Sequence, residues 1–266
     1  MKGLFYKVFR AFDRHKGSSV RFTCNICSTY NEAAFFEFGR ETSNCRKCRS
    51  NVRLRSIIHL LSMSLFGKSL PLKEFPDNKN IKGIGMSDFI PYAMILSNKL
   101  NYTNTYYHQE PKFDVTKISP ALFNSLDFII SSEVFEHIAP PVSIAFDNVY
   151  KILKKNGKFI FTVPFISEGE TIEHFPDLHD YHIFNDQNGY KMVNEKSDGE
   201  KEIFDKLIFH GGPGATLEMR IFSRDGVVEE LNKAGFTDIQ IMEDNCLEYG
   251  ICWQDKWSLP IVATKA

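Results

Sequence analysis

The amino-acid sequence predicts a mixed α/β protein, a mostly parallel sheet of about seven strands layered with helices and preceded by a small cysteine-rich module. Three observations carry that prediction. The stretch from Leu126 to Phe165, LDFIISSEVFEHIAPPVSIAFDNVYKILKKNGKFIFTVPF, reads as strand, acidic turn, helix, tight turn and strand. Four of the six cysteines fall early as two C-x-x-C pairs. With 43% hydrophobic residues among 266, the chain supports one sizeable core plus a small appendage, which excludes a disordered class.

The opening residues, MKGLFYKVFRAFDRHKG, place Leu4, Phe5, Val8, Phe9 and Phe12 on one helical stripe with basic residues elsewhere. Residues 1–20 therefore read as a basic amphipathic segment. It docks on the protein's own core, the more frequent use of such a stripe, or lies peripherally on an anionic membrane surface. No run of apolar residues is long enough to span a bilayer, and Lys7, Arg10, Asp13 and Arg14 interrupt any secretory core. Cytoplasmic residence is the expectation.

Charge divides along the chain. Residues 1–55 hold 12 Lys/Arg against 4 Asp/Glu, and the remainder holds 20 against 29. A basic module on an acidic body fits an anionic partner, or simply a solvated positive face.

Residues 21–55 carry Cys24-x-x-Cys27 and Cys45-x-x-Cys48, with 17 residues between the pairs, the spacing of a zinc ribbon. Four thiolates complete a closed tetrahedral site, so the expected zinc is structural. Disulfides compete with this reading only in an oxidising compartment. Cys246 and Cys252 lack partner pairs and read as buried thiols. Arg46, Lys47, Arg49, Arg53 and Arg55 either match phosphate oxygens or begin a charged helix that continues through Ile57, Ile58, Leu60 and Leu61.

Residues 56–266 form the main domain. Asn80 to Asp88 reads as its first strand and a Gly83-x-Gly85 turn, where the backbone can approach a ligand closely. Asp127 to Ser131 is a strand buried on both faces. Pro140 and Pro141 start a helix through Val142, Phe146, Val149 and Leu153, which Asn156-Gly157 ends. Lys158 to Val163 is the next strand. A right-handed crossover puts Ser131, Ser132, Glu133 and Pro164 at the carboxyl mouth of the sheet, where ligands of open parallel sheets lie. Ser223 caps a helix closed by Gly235, and two further strands, from Phe236 and from Ser258, complete the sheet.

An acidic turn ending in Glu-His, a helix, Leu-Lys-Lys-Asn-Gly and an aromatic strand ending in Val-Pro resembles class I S-adenosylmethionine-dependent methyltransferases. Phe135-Glu136-His137-Ile138 is similar to a stretch common in their small-molecule, type 11-like branch. The resemblance implies a Rossmann-like sheet and S-adenosyl-L-methionine as cofactor. It places Gly83, Gly85, Ser132 and Glu133 against that cofactor, and Asp114 of Asp114-Val-Thr116 at the adenine amino group. Asp114 also suits a helix cap. Where that superfamily ends its second strand with a carboxylate, this chain offers Asn104, Thr105 or Tyr106. Together GIGMSD, YTNTYYHQEPKFDVT, SSEVFEHI, HFPDLHDYHIF and HGGPGATLEMRIFS resemble a bacterial subgroup with an amino-terminal cysteine-rich module.

An insertion at about 166–221 carries His174, Asp177, His179, Asp180, His182 and His210 and reads as a substrate cap. An oxygen acceptor gains from a general base of near-neutral pKa, for which His137, His179 and Asp180 are the candidates. His174, His179, Asp180 and His182 form an alternative set for a catalytic divalent ion, although their spacing matches no strong metal motif. The expected function is methylation of an oxygen on a sugar, glycan precursor or other small metabolite. RNA methylation guided by the basic module ranks behind it, as does a silent binding protein that keeps the fold.

Overall fold

The computed structural model describes residues 19–266; the amphipathic segment expected over residues 1–20 lies outside them except for Ser19 and Val20. Strands β1 (Ser19–Thr23) and β2 (Tyr30–Ala34) pair antiparallel, with Val20, Phe22, Asn31 and Ala33 facing inward by alternation. Helix α1 (Val52–Phe66) starts where Asn51 accepts a hydrogen bond from Leu54 N at 2.9 Å. It stops at Gly67, whose φ of 68° is left-handed.

The main sheet follows from β3 (Asn78–Met86), α2 (Ile90–Lys99), β4 (Leu100–Thr105), β5 (Leu126–Ser132), α3 (Ser143–Ile152) and β6 (Leu153–Thr162). These four strands are parallel, and β5 and β6 read as apolar runs because both faces are covered. The cap contributes the short strands β7 (Phe165–Ile166) and β8 (Ile172–Glu173), the meander β9 (Asp180–Asp186), β10 (Gly189–Glu195) and β11 (Lys201–Phe204), and the pair β12 (Phe209–His210) and β13 (Thr216–Leu217). Strand β14 (Arg220–Ser223) returns the chain between β7 and β8 and leads into α4 (Arg224–Ala234). As expected, Ser223 caps α4 by accepting from Gly226 N at 3.0 Å, and Gly235 closes it at a φ of 99°. Strands β15 (Phe236–Ile241) and β16 (Ile261–Lys265) add an antiparallel edge.

The central sheet runs β15-β16-β6-β5-β3-β4, six strands rather than about seven. The chain between β4 and β5 forms no further strand; it makes one isolated bridge, Tyr106 to Lys112, closing a loop that contains Pro111, and then a single turn at Pro120–Leu122, and neither proline can donate a ladder hydrogen bond. After β3 the chain goes to one side as β4 and then to the other as β5. The topological switch point therefore lies between β3 and β5.

One boundary differs from the sequence expectation. Helix α3 ends at Ile152, and β6 begins at Leu153, which pairs with Leu126. Lys154 thus lies in a strand, with its Nζ 2.8 Å from Asp127 on β5. Asn156 makes the left-handed turn, at φ 63°, inside that strand. A buried strand partner for Leu153 outweighs the helix signal of the Lys-Lys-Asn-Gly sequence.

Phe135 anchors the turn after β5. Its ring centroid lies 4.7 Å from Phe146, 5.4 Å from Phe159 and 6.0 Å from Phe161, and all four are fully buried. Val20, Phe22, Cys24 and Ile26 of the cysteine-rich module belong to the same apolar core. The cap has its own small core of Phe175, Met192, Leu217 and Met219. Arg220, fully buried, joins cap to body: its Nε donates to Glu173 Oε1 at 2.6 Å and its Nη1 to the Phe135 carbonyl at 2.8 Å. Among the described residues no helix is long and apolar enough to cross a membrane.

Candidate active site at the carboxyl edge of the sheet

Gly83 and Gly85 both lie within β3, ahead of the turn rather than in it. A Cβ at Gly83 would sit 2.3 Å from the Phe128 ring; one at Gly85 would meet Asp88 Oδ2 and the Tyr102 hydroxyl, each at 2.0 Å. Glycine is needed here because side chains crowd the strand. The turn itself is made by Ser87 at φ 58°, a left-handed conformation held by its N–H donating to Thr105 O at 2.7 Å.

Asp88, which the sequence reading passed over, is the buried acid of this turn. Tyr102 donates to its Oδ2 at 2.5 Å, while its backbone N–H donates to Asn104 Oδ1 at 2.8 Å. Asn104 Nδ2 returns a bond to the Asp88 carbonyl at 3.0 Å. Asn104 therefore holds the turn in place with both ends of its amide. Burial pushes the Asp88 carboxyl up to about 7, against the opposing pull of the Tyr102 hydrogen bond and of Arg53. Asp114 is turned to local use: its Oδ1 accepts from Thr116 N at 2.9 Å and from Thr116 Oγ1 at 2.6 Å.

Across the switch point, Ser132 and Glu133 stand at the end of β5 as expected. Glu133 is held at φ 59°, a costly conformation for a residue with a side chain, and such strain concentrates at functional sites. Its Oε1 accepts from Thr162 Oγ1 at 2.8 Å and pairs with Arg40 Nη2 at 2.6 Å. Arg53 bonds Ser132 Oγ and pairs with Glu41 at 2.9 Å. Arg40 also donates to Ser258 Oγ at 2.6 Å and lies 4.7 Å over the Trp257 ring.

Two arginines of the cysteine-rich module thus reach into the carboxyl edge of the sheet. Arg53, through its bond to Ser132, reaches the end of β5. Arg55 is fully buried, donating to Ser50 O at 2.8 Å and Gly250 O at 2.7 Å. Of the basic cluster, Arg46, Lys47 and Arg49 remain exposed; Arg53 and Arg55 face inward.

The four cysteines converge. Cys24 Sγ lies 3.7 Å from Cys48 Sγ, and Cys27 Sγ lies 3.5 Å from Cys45 Sγ, too far for disulfides. Sulfurs about 2.3 Å from one tetrahedral ion lie roughly 3.8 Å apart, which these separations match. Each C-x-x-C forms a tight turn: Ser28 N donates to Cys24 O at 2.8 Å and Arg49 N to Cys45 O at 2.9 Å, with Ser28 and Arg49 both at left-handed φ. Cys246 and Cys252 stay apart from this cluster, and burial pushes the Cys252 thiol up to about 11.

Of the three candidate bases, only His137 lies in the turn after β5. Its Nδ1 donates to the Leu217 carbonyl at 2.8 Å, and burial lowers its pKa, which favours neutral imidazole. His179 and Asp180 are exposed on the cap, where His179 lines an open depression of about 420 Å³ with Pro140, Pro141, Leu178 and Lys196. The expected ion set of His174, His179, Asp180 and His182 does not converge, because His182 lies out along β9 and His174 is bonded to Glu218 at 2.9 Å. Instead Glu136, His137 and His210 come together, their ligand atoms all within 4.8 Å. Glu136 is fully buried, and burial, reinforced by Glu133, raises its pKa well above the usual carboxylate range. The sequence showed His137 and His210 as unrelated; only the return of the cap at β13 and β14 brings them together.

Residues 88–161 match a family described as a methyltransferase domain, a span running from the acid behind β3 to the end of β6. A comparison with curated protein sequences finds no match. Among solved structures, the chain is similar to a 1,6-didemethyltoxoflavin-N1-methyltransferase of Burkholderia thailandensis, with 13% identity over 80% of this chain and 78% of that one, at a TM-score of 0.45. It is also similar to an S-adenosylmethionine-dependent methyltransferase of Mesorhizobium loti (11% identity, 73% and 95% coverage, TM-score 0.42) and to one from Listeria monocytogenes described as a putative enzyme of that class (16%, 73% and 96%, 0.42). At TM-scores below 0.5 these likenesses add no weight of their own. With the domain match running from the turn after β3 into β6 of a mostly parallel six-stranded sheet, the chain is an enzyme on a Rossmann-like methyltransferase fold.

Proposed function

We propose that the protein transfers a methyl group from S-adenosyl-L-methionine to an oxygen of a sugar, glycan precursor or other small metabolite, with zinc held by Cys24, Cys27, Cys45 and Cys48 in a structural role. The observation that supports this best is the domain match over residues 88–161, which runs from the turn after β3 through β4 and β5 into β6.

When bound, the cofactor supplies the electrophilic methyl group. The chain's own residues align and protect. On this reading Gly83, Gly85, Asp88, Ser132 and Glu133 border the cofactor, and Arg53, paired with Glu41, fixes Ser132 there. Asp114 has one oxygen committed to Thr116 and keeps the other for the adenine amino group. His137, neutral and with Nε2 as its lone-pair nitrogen, is placed to take the proton of an acceptor hydroxyl. The cap over residues 166–221 excludes water from the acceptor side, and His179 and Asp180 belong to its outer surface.

Zinc fits the cysteine turns because four sulfurs already lie at tetrahedral spacing and Arg55 lies beneath them to offset thiolate charge. The module would then fix Arg40 and Arg53 at the crevice, a reason for its presence on this enzyme. The reduced thiols of this reading accord with a cytoplasmic setting.

Calorimetric titration with S-adenosylmethionine and S-adenosylhomocysteine tests the reading. Binding of both, followed by methyl transfer to a hydroxylated acceptor, is expected. Folded protein that binds neither overturns it in favour of a silent binding module, and turnover on RNA alone moves the acceptor class.

A further inference from the structure

We propose that Glu136, His137 and His210 hold a first-row divalent metal ion at the seam between the turn after β5 and the cap. One ligand atom from each residue lies within 4.8 Å of the others. Ligand atoms about 2 Å from a common ion lie roughly 3–4 Å apart, so a small contraction closes the site.

The independent observation is Glu136. The residue is 0% exposed, and neither carboxylate oxygen has a hydrogen-bond partner among the described residues. A buried carboxylate without a partner is costly, and native proteins pair such groups with a donor or a cation. The nearest candidate donor does not serve. His137 Nε2 lies 3.8 Å from Glu136 Oε1, too far to share a proton. Moreover, a carbonyl only accepts, so the bond to Leu217 O fixes the proton of neutral His137 on Nδ1. A lone pair on Nε2 and the Glu136 oxygen then face each other across the gap. A cation between them satisfies both.

The outer contacts are those of metal-binding histidines, which donate their second N–H to a carbonyl or carboxylate. His137 Nδ1 donates to the Leu217 carbonyl at 2.8 Å. His210 Nε2 donates to Glu218 Oε2 at 2.8 Å, which leaves its Nδ1 as the lone-pair nitrogen. Glu218, itself buried, is steadied by His174 Nε2 at 2.9 Å from its other oxygen. Backbone ties hold the two sides in register: Met219 N donates to Glu136 O at 2.8 Å, and Arg220 holds the Phe135 carbonyl.

Two imidazoles with one carboxylate suit zinc, iron, cobalt or nickel rather than magnesium or calcium. Three protein ligands leave open positions for water or one oxygen of a substrate. If the methyl-transfer reading holds, His137 Nε2 serves there as a ligand in place of a base, and a hydroxyl bound at an open position would lose its proton to solvent more readily; the ion site itself does not depend on that reading.

The test titrates full-length protein, given a single equivalent of zinc for its cysteine site, with Co(II), followed by calorimetry and absorption. One further equivalent is expected, with ligand-field bands and no thiolate charge-transfer band. Glu136→Gln and His210→Ala should each weaken that binding at least tenfold while retaining the cysteine-bound zinc. Because Glu136→Gln replaces an unpartnered buried carboxyl with an uncharged group of the same shape, the variant without Co(II) should melt no lower than the parent, which separates loss of the site from loss of the fold. Absence of a second equivalent in the parent carrying one zinc overturns the proposal, as does undiminished Co(II) binding by folded His210→Ala. S-adenosylmethionine binding read on the same samples reports on methyl transfer separately: Co(II) bound by a protein that ignores the cofactor sustains the ion site and rejects the enzyme reading.

Discussion

Asp88→Asn isolates the electrostatic cost of the turn behind β3. In the folded protein the Asp88 carboxyl is fully buried and pushed up to about 7 from a reference value of 3.8, with burial as the largest cause. A carboxyl whose folded pKa is raised binds its proton more tightly in the native state. Its contribution is therefore fully present below the unfolded pKa and is lost as pH rises towards 7. Holding the group near 7 corresponds to about 4 kcal/mol lost above neutrality, at roughly 1.4 kcal/mol per pKa unit. Asparagine cannot ionise, has nearly the same shape, and keeps an oxygen to accept from Tyr102. The variant should match the parent near pH 3, exceed its stability increasingly as pH rises towards 7, and hold that margin above it. Urea unfolding of both proteins at half-unit pH steps measures the difference, and taking parent against variant cancels the titration of every other group. A difference that stays constant with pH would show that Asp88 is not held protonated, and would refute the account of this turn.

Further expectations follow from the same contacts. Gly85→Ala forces a Cβ into the Asp88 and Tyr102 contact, so it should destabilise the fold by about 1–3 kcal/mol and weaken cofactor binding as well, read by thermal melting and calorimetry. Cys45→Ser should lose one equivalent of zinc by elemental analysis and lower the melting temperature, because metal affinity and folding are coupled; a parent that is folded and metal-free would defeat the zinc assignment. Arg220→Met leaves Glu173 unpaired and frees the Phe135 carbonyl, so on the order of 3 kcal/mol of stability should go. Faster proteolysis within residues 166–221 than within the sheet would mark the expected loosening of the cap.

The main sheet was legible because strands covered on both faces must be continuous apolar runs. Asp127 to Ser131 and Lys158 to Val163 had that pattern, and the caps at Ser223 and Gly235 fell as the sequence predicts. The end of α3 was misread because Lys154, Lys155, Asn156 and Gly157 carry a genuine local stop signal, while the pairing of Leu153 with Leu126 is non-local. Gly83 and Gly85 lie within β3 rather than in a loop for a similar reason: a Gly-x-Gly records close approach without saying which neighbours make it, and Phe128 and Tyr102 crowd these positions only in the folded sheet.

By itself the sequence determined the α/β class, the cysteine pairs and the residues at the end of β5, since these rest on periodicity, spacing and local caps. Only the tertiary structure decided that Arg40 and Arg53 close on Glu133 and Ser132, that Asp88 is the buried acid of the first turn, and that Glu136 and His137 face His210. Each of these joins segments far apart in the chain through desolvated charge. The energy of such a pairing depends on burial and distance in three dimensions, which no local pattern of residue types encodes.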